Sequence, residues 1–480
     1  MKKIIGISLL AASTLAFAST ADDIAKLEKE IKKLKKKLNK VNAHDANDNL
    51  KWGVDLRTSI DSIKYDMADG AEMKNSDLMA MRLWLRMAYA VDSHNIFKGK
   101  LSMNKAFGAD FGMPPSLNAG RSGLDAMSMG GMFDWTANEV LTDNSLKVKE
   151  AYWLYLGDRA FGADIPWTFS VGRRPATNGF LVNLREDDAA QSPLGHNINV
   201  EFDGLSSKLD LSNVTGVPGL TFKLCMGQGS TNAKPMFETT TPYASGENYV
   251  AKNIEDIQLA GFIIEPYNDG QIHTKFNWFK AYDMPDLVDA MDSTKGMDQY
   301  GDLDGGAFSV LVDGLTDEGY LADAKVFASF AWSTTRPDTG KAMLGSTEDE
   351  TGTSWWVGTQ LPVLDEGKLG VEFNHGSKYW RSFTYAEDTM VGSKLAARGD
   401  AFDIYYTYQL TEALSAQVRY TKIDYDYTGS NGFFGNSTGT PIKIEDIKAG
   451  AAAGDPMSQA MLPYIVESAS DFRFYIRYRY

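Results

Sequence analysis

Asp471-Phe472-Arg473-Phe474-Tyr475-Ile476-Arg477-Tyr478-Arg479-Tyr480 closes the chain and divides by parity. Phe472, Phe474, Ile476, Tyr478 and Tyr480 fall on one side of a two-residue repeat, and Arg473, Tyr475, Arg477 and Arg479 fall on the other. One face suits hydrocarbon and the other suits water. That division is expected of a transmembrane β-barrel strand, whose outer side meets lipid and whose inner side meets a wet lumen. A terminal strand half buried in a soluble sandwich alternates in the same way, so the rest of the chain decides between the two.

The alternation recurs. Trp52, Val54, Leu56, Thr58 and Ile60 oppose Gly53, Asp55, Arg57, Ser59 and Asp61, and Met79 to Tyr89 sets Met, Leu and Tyr against Arg82, Trp84 and Arg86. Clear repeats follow at 97–107, 146–156, 272–282, 324–332, 402–410 and 414–420. Shorter ones lie at 167–174, 198–202, 220–226, 257–264, 308–312, 355–361 and 369–375, which makes sixteen strands with the last, fourteen and eighteen being left open. The odd connections, 66–78, 108–145, 175–197, 227–256, 283–306, 334–353, 376–400 and 428–471, are mostly long, whereas the even ones are mostly short. Long and short connections alternating around an even strand count are expected of an outer-membrane barrel with its long loops outside, and a sandwich has no reason to show them.

The other end of the chain names the compartment. Lys2 and Lys3 precede an apolar run that continues through small residues to Ala16-Phe17-Ala18, a secretory signal peptide over 1–18, too short to span a membrane as a helix. Ile24, Leu27, Ile31, Leu34, Leu38 and Val41 are spaced three and four apart, a coiled-coil seam within 22–42 that favours self-association without fixing the number of copies. A helix this short is marginal alone, so something else must gather the copies. Residues 43–51 form a polar linker, and the barrel occupies 52–480. The chain carries a net −15, while the coil is lysine-rich and positive; an acidic body argues against a nucleic-acid partner, and Lys32 to Lys40 suit anionic cell wall such as peptidoglycan. Cys225 is the only cysteine, so no intrachain disulfide forms and a buried strand position is its expected place.

With apolar faces toward lipid, the opposite parity names the lumen. Closure sets the last strand beside the first, so Arg473, Arg477 and Arg479 join Arg57, Arg82, Arg86, Lys98 and Lys100, flanked by Arg419, in one basic wall moderated by Asp55 and Asp61. Enzymatic readings are thin. A barrel phospholipase needs serine with a histidine base, and Ser430-Asn431-Gly432 lies far in sequence from His44, His94, His196, His273 and His375. Asp298, Asp302 and Asp304 lack a full calcium ligand set, and no cofactor fingerprint or metal site is read from the chain.

Several segments carry a resemblance: Asn42-Ala43-His44-Asp45-Ala46-Asn47-Asp48-Asn49, Trp52-Gly53-Val54-Asp55, Asn104-Lys105-Ala106-Phe107-Gly108 and Val148-Lys149-Glu150-Ala151-Tyr152. Together with the leader and the lysine-rich coil they resemble an uncharacterised porin-like outer-membrane family of epsilonproteobacteria with no assigned solute. More distantly the chain is similar to trimeric porins such as the Campylobacter major outer membrane protein. The resemblance implies a homotrimer whose coil lies in the periplasm. It also implies a third long loop, 175–197, that folds inward and sets Glu186, Asp187 and Asp188 against the basic wall, with Arg174 at the constriction. A solvent-exposed acidic loop is the alternative. Tyr480 departs from the terminal Phe of many outer-membrane proteins, yet an aromatic end still fits recognition by the barrel assembly machinery.

The expected molecule is therefore an all-β, transmembrane antiparallel β-barrel of about sixteen strands behind a short α-helical coiled coil. It sits in the Gram-negative outer membrane among lipid and lipopolysaccharide and acts as a porin for small hydrophilic solutes and ions, not as an enzyme. The alternative is a structural protein whose barrel is plugged and whose coil tethers to the cell wall.

Overall fold

The structure, a computed structural model, describes residues 50–108, 141, 144–230, 255–289, 292 and 295–480. The expected signal peptide, coiled coil and most of the linker lie outside those residues, as do most of the connections 108–145 and 227–256.

Sixteen strands close into one barrel. They are β1 (Leu50–Met67), β2 (Glu72–Ala90), β3 (Asn95–Ala106), β4 (Lys147–Gly157) and β5 (Trp167–Arg174). Then come β6 (Phe202–Asp210), β7 (Thr221–Ser230), β8 (Ile257–Asn268), β9 (Ile272–Leu287), β10 (Met297–Asp313) and β11 (Lys325–Pro337). The series ends with β12 (Glu350–Pro362), β13 (Gly367–Gly376), β14 (Gly399–Gln409), β15 (Leu414–Tyr425) and β16 (Val466–Arg479). Neighbours in sequence are neighbours in the sheet, and β16 returns antiparallel to β1 with Arg477 opposite Arg57 and Arg473 opposite Asp61. Tyr480 completes the seam: its N–H donates to the Val54 carbonyl and its carbonyl accepts from the Val54 N–H, both at 2.9 Å. No strand edge is left open, which is the condition for a sheet in hydrocarbon.

The burial pattern is the reverse of a soluble protein's. Along β16, Phe472, Phe474, Ile476 and Tyr478 are exposed while Asp471, Arg473, Tyr475 and Arg477 are buried. Phe472 is 51% exposed and Arg473 only 2%. The same inversion runs round the barrel, with Leu56, Val171, Leu205, Phe308, Phe330, Val357, Phe402 and Val418 exposed outside and Ser102, Ser170, Ser309, Ser354, Asn374 and Thr407 buried inside. A skin this apolar is costly in water and favourable in lipid. Tyr89, Phe97, Trp153, Tyr478 and Tyr480 are exposed near the end that carries the short turns, where an interfacial aromatic girdle belongs.

Three sequence expectations need correction. Residues 198–202 are not a barrel strand; the sixth strand is β6, which begins where that segment ends. Ile198, Val200 and Phe202 do alternate, but they pack into a core within the lumen rather than against lipid. The connection 66–78 is not a long loop, because β1 and β2 continue to the turn at 68–71. In the same way β9 and β10 extend into 283–306 and leave only 288–296 between them. β1 has 18 residues and β2 has 19, against the roughly 9–11 that cross a bilayer, so backbone pairing carries on beyond the apolar band where the side chains turn polar.

Inside, the long connections supply the packing. Met343, Phe383, Tyr385, Phe433 and Phe434 come from three of them and meet Leu259, Phe279, Met284 and Leu303 of the wall in a buried apolar cluster. Residues 380–398, in the connection between β13 and β14, are buried without interruption. That connection enters where β12 has Gly352: a Cβ there would stand 2.1 Å from the Trp380 nitrogen, so no larger residue leaves room for the chain.

The lipid-facing assignment predicts that Val418→Arg, in the middle of β15, lowers unfolding stability in vesicles by about 2–4 kcal/mol, the cost of a cation near the bilayer midplane. Urea titration of the reconstituted barrel measures it. A change within a few tenths of a kcal/mol would place that face out of lipid.

Candidate functional site

The inward parity of β16, β1 and β2 brings basic side chains together, and inserted loops meet them with acids. Asp388, from the connection 377–398, accepts from Arg57 Nη2 at 3.0 Å, Arg82 Nη1 at 3.0 Å and Arg473 Nη1 at 3.2 Å. Arg473 also bonds Asp61, and Arg477 bonds Asp55 with its Nε at 2.9 Å. Arg86 lies 3.3 Å from Asp55. Arg82 stacks on Trp84, 3.5 Å from the ring centroid, and Arg86, Lys100 and Lys149 surround the same indole. Lys100 is buried and paired with Glu150, whereas Lys98 is half-buried.

The third connection, 175–201, folds into the lumen and crosses it. A helical turn, Val182–Arg185, is held at its carboxyl end by backbone acceptance: Gln360 Nε2 donates to the Leu184 carbonyl at 3.1 Å and Gln417 Nε2 to the Arg185 carbonyl at 2.9 Å. Glu186 takes Arg419 Nη1 at 3.1 Å, and its carbonyl accepts from Arg477 at 2.7 Å. Asp187 and Asp188 take Arg479 at 2.9 and 3.2 Å, and Asp188 also takes Arg477 at 2.7 Å. Burial would raise the Asp188 carboxyl, but Arg477 and Arg82 outweigh it and hold the group below the usual carboxylate range. On the far side Phe180, Leu181 and Val182 pack on Leu311, Phe327 and Trp356 of β10 to β12.

The structure thus brings Arg57, Arg82, Arg86, Arg419, Arg473, Arg477 and Arg479 into one connected region with Glu186, Asp187 and Asp188. The acids touch the arginines directly rather than facing them across open water, so most of the wall is neutralised in place. Arg174 stands apart from these acids: Nη2 donates to Ser206 Oγ at 3.1 Å and the guanidinium lies 4.5 Å from the Tyr152 ring centroid.

A second buried network was not anticipated. Arg185 reaches Glu372 at 3.0 Å and also bonds Glu387, and Lys394 lies 3.3 Å from Asp403, itself gripped by Arg419 at 2.7 Å. Glu372 and Asp403 occupy inward positions of β13 and β14, a parity signal that could have placed them; Glu387, Asp388 and Lys394 lie in an aperiodic stretch that offers none. His196 sits between Ser329 Oγ at 2.8 Å and Ser354 Oγ at 2.9 Å, flanked by Trp356 and Trp380. Burial without a carboxylate partner pushes its imidazole down to about 3. Ser430 uses its hydroxyl to accept the Arg398 N–H at 2.9 Å.

The chain belongs to the family described as "Protein of unknown function (DUF3373)", whose model matches residues 72–480. No curated protein matches it. Solved structures similar to the chain include OmpF of Salmonella typhi in complex with daunomycin, at 12% identity and TM-score 0.45, covering 90% of this chain and 99% of that one. An anion-selective porin from Comamonas acidovorans is similar at 11% identity and TM-score 0.46, with 90% and 99% covered. OmpT, an outer membrane protein of Vibrio cholerae, is similar at 13% and 0.43, with 90% and 97% covered.

Asp388→Ala leaves three buried guanidinium groups without their shared anion and is expected to cost about 3–5 kcal/mol. Limited proteolysis within 377–398 reads the loosening directly; an unchanged cleavage pattern and stability would mean that other contacts hold the loop. His196 gives a pH dependence of known sign. Its folded value lies below the unfolded one of 6.5, so the unfolded chain binds the extra proton and stability falls as pH drops from about 6.5 toward 3. The slope attributable to this residue is up to about 1.4 kcal/mol per pH unit. Subtracting the profile of His196→Gln from that of the parent isolates it, and parallel profiles would contradict the assignment.

Proposed function

We propose that this chain, as a member of that family, is a porin of the Gram-negative outer membrane that passes small hydrophilic solutes and ions by passive diffusion through a lumen narrowed by its own loops. The observation that carries the reading is the third connection, folded across a polar interior and tied to the wall at both sides, within a barrel whose outer skin is apolar. A loop so placed divides the lumen and presents charged groups to whatever passes, which is how a pore selects by size and field. The expected surroundings complete the proposal: lipopolysaccharide and lipid around the skin, the barrel assembly machinery acting on Tyr480, and a homotrimer gathered over the coil 22–42. In this arrangement the coil lies in the periplasm, where its lysines meet peptidoglycan.

A second reading is favoured by one observation, the continuous burial of residues 380–398. In it the barrel is a closed structural element and the coil tethers the membrane to the wall. Planar-bilayer recording separates the two. A porin gives small, stable conductance steps from the intact protein, and replacing 382–396 with a short Gly-Ser link raises them several-fold. An intact protein that is folded and silent, with steps appearing only after the loop is shortened, supports the plugged barrel.

A further inference from the structure

Away from the neutralised arginines, two cations lack an ion-pair partner among the described residues. Arg174, at the end of β5, and Lys223, on β7, line one cavity of about 90 Å³ under Pro175 and Pro193 of the third connection. Among the described residues neither makes an ion pair. Arg174 bonds the Ser206 hydroxyl and Lys223 the Ser192 hydroxyl, while Arg174 Nη1 is buried with no partner at all. Most interior cations differ, since Arg57, Arg82, Lys100, Lys149, Arg185, Lys394, Arg419, Arg473 and Arg477 each have a carboxylate, while Arg381 and Arg398 are taken up by backbone carbonyls.

The neighbourhood deepens the excess. Lys208 stands directly opposite Lys223 in the β6–β7 register, a pairing of like charges that costs stability. Glu265, a carboxylate of that strip, is already shared by Lys275 at 3.3 Å, His273 at 3.0 Å and Lys208 at 3.9 Å. A guanidinium and an ammonium kept half-buried without a counter-charge are expensive unless something negative joins them. The cavity has room for several waters, or for one small oxyanion, and two hydroxyls stand beside the cations to share the bonding. Ile198, Phe202 and Phe279 give its other side an apolar lining.

We propose that Arg174 and Lys223, with Ser192 and Ser206, form a binding site for a small oxyanion, a carboxylate or a phosphate, and that this is where the channel recognises its solute. The second part rests on the porin reading; the site itself does not. Arg174's guanidinium offers its free Nη1 to one oxygen, and the Lys223 ammonium offers the second charge.

Equilibrium dialysis of the folded, detergent-solubilised protein at low salt, with inorganic phosphate and with butyrate as probes, tests the site. The expected result is saturable binding of at least one of them at one site per chain, the tighter probe naming the class. Arg174→Gln and Lys223→Gln are each expected to weaken binding about tenfold or more, the loss of a charge-assisted bond. Arg174→Lys keeps the charge and retains binding within a few-fold, and Lys448→Gln, far away in an exposed pair with Glu467, leaves it unchanged. Because the cations repel one another when empty, Arg174→Gln is expected to preserve or raise thermal stability without ligand, which a purely structural arginine would not do. No saturable binding of either probe, or binding untouched by both Gln variants, overturns the proposal. Bilayer recording of the same samples separates the two claims: binding without conductance keeps the site and removes the channel, and conductance without binding does the reverse.

Discussion

An unbonded N–H or C=O in hydrocarbon costs several kcal/mol, so a sheet that lives there has to end where it began. In this chain that requirement falls on the meeting of β16 with β1, where Tyr480 and Val54 exchange both backbone bonds and Arg473 comes to lie opposite Asp61. The seam fixes more than the backbone. Its register sets which side chains of the two strands share the inner face, and a slip of one residue that turned β16 over would put Arg473 and Arg477 into lipid. The interior charges, and through them the placement of the loops, follow from it.

Those charges hold loops in place. Asp388 is enclosed by three arginines, Glu186 to Asp188 by Arg86, Arg185, Arg419, Arg477, Arg479 and Lys368, and Glu372 by Arg185 and Lys394. Pairing of this kind costs much of what it returns, since each ion leaves water before it meets its partner. Its effect is specificity of position: the 377–398 and 175–201 connections fit the wall in one way. Where compensation is complete, the local field is small. Arg174 and Lys223, which make no ion pair among the described residues, are not compensated in this way.

The barrel was legible because period-two alternation is imposed by the two solvents on each strand, independently of what the loops do. Phe472 to Arg479 shows it without a break. β6 escaped because its outward face carries Asp203 and Ser207 beside Leu205 and Leu209, and its inward face has Gly204 and Ser206, so neither side reads as apolar. The neighbouring Ile198, Val200 and Phe202 gave a stronger alternation that was real but belonged to the internal cluster. The basic wall could be named from parity and closure alone. Its partners could not: Asp388 lies 331 residues from Arg57 in sequence, in a mixed run of polar and apolar residues with no period. Nothing local in Thr384 to Arg398 says that the segment is dry. The inward course of 175–201 came from resemblance rather than from its own residues, and the direct contact of its acids with the arginines was beyond both.

The position of Asp388 has a meaning in time. Its three partners stand on β1, β2 and β16, the first strands to be made and the last, while Asp388 itself is threaded between β13 and β14. Until the final strand arrives, the carboxylate lacks Arg473 and the cage that encloses it stands open. A barrel one strand short would leave that carboxylate with two of its three guanidinium partners. The housing of Asp388 thus depends on barrel closure, since its cage is complete only when the first and last barrel strands have met.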